Sequence, residues 1–100
     1  MNVNVHEVVI KQAKEHALRV FKEGKTVGLT CDNMRRLLQQ LDKDPSSAYY
    51  GEGRSCYHDY VKTITETVDQ IYAEHGMRIR YEVPKWGEST TFKIIFQPSR

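Results

Sequence analysis

At Gly76 the hydrophobic pattern of this chain changes its period. Upstream, Tyr57, Tyr60, Val61, Ile64, Val68, Ile71 and Tyr72 fall on one stripe of a helix with a 3.6-residue repeat. Downstream, Met77, Ile79, Tyr81 and Val83 alternate with Arg78, Arg80 and Glu82. After the turn "PKWGES", Phe92, Ile94 and Phe96 alternate with Thr91, Lys93, Ile95 and Gln97. A helix over 55–75, closed by the glycine of "EHG", must therefore hand over to a β-hairpin with one greasy face and one largely basic face. A lone hairpin is marginal in water, so the greasy face has to rest on helices. Thr63, Thr65 and Thr67 are poor helix formers, so the long helix depends on what it packs against.

Two helices are expected before it. Val5, Val8, Val9, Ala13, His16, Ala17, Val20 and Phe21 mark a stripe over 5–23, and Gly24 is a natural stop. His16 lies in that stripe and reads as a packed boundary residue. "KTVGL", 25–29, reads as a short strand. Thr30 is then the expected N-cap of the next helix, with Asp32 at its positive end. Met34, Leu37, Leu38 and Leu41 are its expected buried face, Arg35 and Arg36 point away from it, and "DKDP" at 42–45 ends it. Residues 46–54 carry turn chemistry.

The 100 residues are enough for a single domain, 1–100, with a loop over 43–54 and a wing over 84–89. The expected fold class is α+β: three helices with a C-terminal β-hairpin. Charged residues make up 28% and apolar ones 39%, a globular and not a disordered balance. A formal charge of +2 and a pI near 8.6 permit nucleic acid without announcing it. Two cysteines, Cys31 and Cys56, are too few for a disulfide framework. With no export leader and no long apolar run in view, the expectation is a cytoplasmic protein with reduced thiols and no membrane contact.

No catalytic or cofactor signature emerges. Cys56-x-His58 offers two soft ligands, and zinc needs four, so Cys31 would have to converge with His6, His16 or His75. As nucleophile and base, Cys56 and His58 stand two positions apart and face different sides of a helix. Asp42 and Asp44 read as solvated loop charge. "GEG" at 51–53 lacks the lysine of a phosphate-binding loop. The expected protein is not an enzyme and uses neither metal nor cofactor.

The order helix, short strand, helix, helix, hairpin resembles the winged-helix DNA-binding domain over roughly residues 5–97. Within that group, the long connection before the third helix and the run "AEHGMRIRYEVPKWG" look nearest to the output domains of response regulators. The resemblance implies a third helix in the major groove and a wing on the backbone. On this chain Arg54, His58 and Lys62 would approach the groove, Arg78, Arg80, Lys85 and Lys93 would hold phosphates, and Trp86 would sit at the wing tip. Such a small reader would act as a regulator or accessory factor and as a homodimer. Charge divides over the two elements. Residues 54–76 set Arg54 and Lys62 against Asp59, Glu66, Asp69 and Glu74, whereas 77–100 set Arg78, Arg80, Lys85, Lys93 and Arg100 against Glu82 and Glu88. The acidic helix favours an alternative: a protein-interaction module, adaptor or inhibitor, anchored by Tyr49, Tyr50, Arg54 and Trp86, with "SSAYYGEGR" as contact surface. Trp86 has a second placement as well, folded back over the core.

Overall fold

The computed structural model describes residues 4–87 and, for the backbone alone, 97–99; Arg80 is likewise described by its backbone. It is mostly helical: α1 spans Val5–Glu23, α2 Val27–Lys43 and α3 Gly53–Glu74. Two short antiparallel strands follow, β1 at Arg78–Arg80 and β2 at Gln97–Ser99, in the register Arg78 with Ser99, Ile79 with Pro98 and Arg80 with Gln97.

Local chemistry sets the boundaries of α1. The Asn4 side chain accepts the backbone N–H groups of His6 and Glu7 at 3.1 and 3.3 Å, and Gly24 ends the helix in the left-handed region at φ 64°. The strand expected over 25–29 is absent. Thr26, not Thr30, is the N-cap, its hydroxyl accepting the Leu29 N–H at 3.3 Å. Val27 and Cys31 therefore enter the core one helical turn apart. A second correction concerns Arg35. It is buried at 3% exposure, held by Asp32 at 2.6 Å, while Arg36 takes the other Asp32 oxygen at 2.7 Å from the surface. Leu37, expected inside, stands half exposed, and Met34 and Leu38 are buried.

The connection 44–52 is a run of hydrogen-bonded turns. Asp44 accepts both the N–H and the hydroxyl of Ser46, at 2.9 and 2.7 Å. Asp42, read from sequence as solvated, instead accepts the Gly53 N–H at 2.9 Å and so starts α3. The helix ends as expected, in a Schellman motif: Met77 N–H bonds the Tyr72 carbonyl at 2.8 Å and Gly76 N–H bonds Ala73 at 3.0 Å, with Gly76 at φ 70°.

The core lies where α1 and α2 both rest on α3. Val9, Ala13, Ala17 and Val20 of α1, Cys31 and Leu38 of α2, and Tyr60, Ile64 and Val68 of α3 are fully enclosed. Beyond Gly76 the chain doubles back along one flank of α3, with Met77, Ile79, Tyr81 and Val83 turned toward the core as the alternation requires. Residues 81–87 are not strand, so the described ladder is shorter than the expected one. Phe92, Ile94 and Phe96 lie outside the described residues. Among the described residues no helix is long and apolar enough to cross a membrane.

Candidate functional site

The returning segment is fixed to the helices by its own backbone carbonyls. The Tyr57 hydroxyl donates to Pro84 O, Arg35 Nη1 to Lys85 O at 3.4 Å, and Gln39 Nε2 to Trp86 O at 2.7 Å. Upstream, the Tyr81 hydroxyl reaches Thr65 O at 3.2 Å and Asp69 Oδ1 at 3.0 Å. Side chains from α2 and α3 thus satisfy backbone groups of 84–86 that no ladder bond serves. Arg35 is central to this. Its charge is neutralised by Asp32, and the rest of its fork positions the backbone of Lys85. Sequence reading missed it, although Asp32 with Arg35 and Arg36 stands at the i+3 and i+4 spacing of helical ion pairs.

Between this segment and the first turns of α3 lies a cleft of about 650 Å³. Arg54, Tyr57, His58 and Val61 form one wall; Val83, Pro84, Lys85, Trp86 and Gly87 form the other. Arg54, His58 and Lys85 are exposed around apolar walls, and none of these lining residues is a carboxylate. Trp86 does fold back, its ring 5.9 Å from that of Tyr57 at 41°, yet it still lines the opening. The cleft therefore offers two fixed positive charges, an imidazole and an indole: a seat for an anion joined to something flat or apolar.

Four of the residues expected to touch nucleic acid thus come together: Arg54, His58, Lys85 and Trp86. Lys62 does not join them. It borders a separate hollow with Lys14, Asp59 and Glu66, where α1 meets α3. Arg78 is exposed on β1, past the far end of α3. The side chain of Arg80 and all of Lys93 lie outside the described residues. Of the tyrosine pair, Tyr49 packs against the core and Tyr50 stands 56% exposed.

The histidines and thiols are engaged separately. His6 Nδ1 donates to Asp59 Oδ2 at 2.5 Å and Nε2 to Glu52 Oε2 at 3.3 Å, and these two carboxylates raise its pKa. Because the two nitrogens point in opposite directions, His6 and its carboxylates cannot close on one ion. His16 Nδ1 and the Tyr60 hydroxyl are hydrogen-bonded at 2.7 Å; burial, helped by Arg19, lowers the His16 pKa. His75 Nδ1 bonds Ile71 O at 2.8 Å. Burial pushes the Cys31 thiol up to about 12 and, with Asp59 and Glu52 nearby, the Cys56 thiol up to about 11, so both stay protonated at neutral pH. No family model matches the chain, and neither a curated protein nor a solved structure does.

Proposed function

We propose that the chain is a non-enzymatic DNA-binding protein, a regulator or accessory factor of winged-helix type, in which α3 and the segment 83–87 grip the sugar-phosphate backbone together. The observation that carries this reading is the convergence of Arg54, His58, Lys85 and Trp86 on one cleft whose walls, among the described residues, hold no carboxylate. The acidic side chains of α3 lie elsewhere: Asp59 faces His6, Glu66 borders the hollow on the α1 side, and Asp69 accepts from Tyr81. The net acidity of the helix therefore does not describe the field at the cleft. Phosphates reach Arg54 and Lys85 from solvent, and the indole edge packs on a sugar or base.

A labelled duplex titrated at low salt tests this. Binding is expected, and Arg54→Glu and Lys85→Glu are each expected to weaken it about tenfold or more, since each replaces a charge-assisted contact by repulsion. Both side chains are exposed, so the fold survives the changes. A duplex that fails to bind, or that binds both variants like the parent, refutes the reading.

A further inference from the structure

From a second, separate groove we infer that the chain also receives an acidic amphipathic helix from a partner protein. α1 and α2 each rest on α3 and meet one another only sparsely, which leaves a furrow of about 610 Å³ between them. Its apolar lining is Val20 of α1 with Leu29, Met34 and Leu37 of α2. Leu29 and Leu37 stand 57% and 49% exposed and line the furrow together, a shared apolar patch and not two scattered side chains. They lie on one side of α2, eight residues or about 12 Å apart, which is the span of two turns of a docked helix.

Charge selects the occupant. Arg19 and Lys25 border the furrow and, among the described residues, no carboxylate lines it; Glu23, which pairs with Lys25 at 2.9 Å, stands outside the lining. His16, half-buried in that lining, is turned by its 2.7 Å hydrogen bond between Nδ1 and the Tyr60 hydroxyl. Apolar floor and cationic rim are complementary to a helix with leucines on one face and glutamates beside them. A helix flanked by lysines would meet repulsion on the same seat. This groove shares no lining residue with the cleft of Arg54 and Lys85, so the inference stands apart from DNA binding.

The test uses the full chain and two synthetic peptides of about 14 residues that share a leucine stripe and differ only in glutamate or lysine flanks. Fluorescence anisotropy is expected to show the acidic peptide binding and the basic one not. Leu37→Asp and Leu29→Asp should each weaken the acidic peptide about tenfold, and the double reversal Arg19→Glu with Lys25→Glu should invert the preference. These side chains are on the surface, and circular dichroism verifies that the variants remain helical. Equal binding of the two peptides, no binding of either, or a concentration-dependent dimer dissolved by Leu37→Asp would each overturn the inference, the last by assigning the face to a second copy.

Discussion

His6 and His16 titrate in opposite senses, and the difference is readable in stability. His6 gains two carboxylate partners on folding, so its folded pKa lies above the ordinary 6.5. The stabilisation it brings is complete below that value and is lost as pH rises through the higher folded value. His16 is held neutral by burial, so its contribution is present above 6.5 and is lost as pH falls through its lowered folded value. In the parent chain the two partly cancel. His6→Gln should therefore lower the urea midpoint most near about pH 6 and hardly at all near about pH 9, leaving a steeper decline toward acid as His16 titrates alone. Because His6, Asp59 and Glu52 are all a third to a half exposed, the loss is expected to stay below about 1 kcal/mol. Chemical denaturation of parent and variant across that range measures it. A pH-independent difference would show that the His6 contacts act as packing and not as charge.

At the scale of elements, α2 and α3 approach closely at Gly53. A methyl group on Gly53 would stand 2.6 Å from Leu38 O and 2.6 Å from the Asp42 Cβ, a close approach that only glycine allows. Gly53→Ala must push the two helices apart and is expected to cost about 1–3 kcal/mol, the range for overpacking a filled interior. Gly51→Ala two residues away meets no neighbour and carries only the penalty of a left-handed backbone at φ 74°. Thermal unfolding of the pair separates steric from conformational cost, and equal losses would contradict the close approach. The same junction shows what the sequence could and could not reveal. The stripe of α3, the stop at Gly24 and the Gly76 cap were legible because periodicity and glycine chemistry are local. The start of α2 was not, because Thr26 and Thr30 are equally good caps in isolation and Val-Gly-Leu suits a short strand as well as a first turn. Burial of Arg35 was hidden for a related reason: Asp32 and the Lys85 carbonyl, both of which it contacts, lie on different elements, and only the fold brings the second one near. The cleft inherits that difficulty. Its residue types were visible, but the separation of Lys62 from Arg54 and His58 depends on where α1 crosses α3.

Over the described residues, a slab of 46 × 32 × 18 Å, the cations of the returning segment, Arg78 and Lys85, stand apart from one another. Lys85 sits beside the start of α3, whereas Arg78 follows its end, seven residues upstream. At no more than about 3.3 Å per residue the two are at most roughly 23 Å apart, or about 7 base pairs of duplex. Arg78 and Lys85 are both exposed, as is Glu82 between them. Duplex length therefore decides how many cations take part. A hairpin-closed duplex of about 6 base pairs reaches Arg54 and Lys85 alone, and the logarithm of its binding constant should fall with log salt at a slope of about −2. One of about 16 base pairs also reaches Arg78 and should show about −3, since each added phosphate contact contributes about −0.9. Glu82 opposes the strand where it crosses, so the longer duplex gains more in salt dependence than in affinity. Arg78→Glu should return the long duplex to the slope of the short one while leaving the short one unchanged. Slopes that ignore both length and Arg78 would confine DNA to the cleft, and a slope near zero for either duplex would remove phosphate from the site altogether.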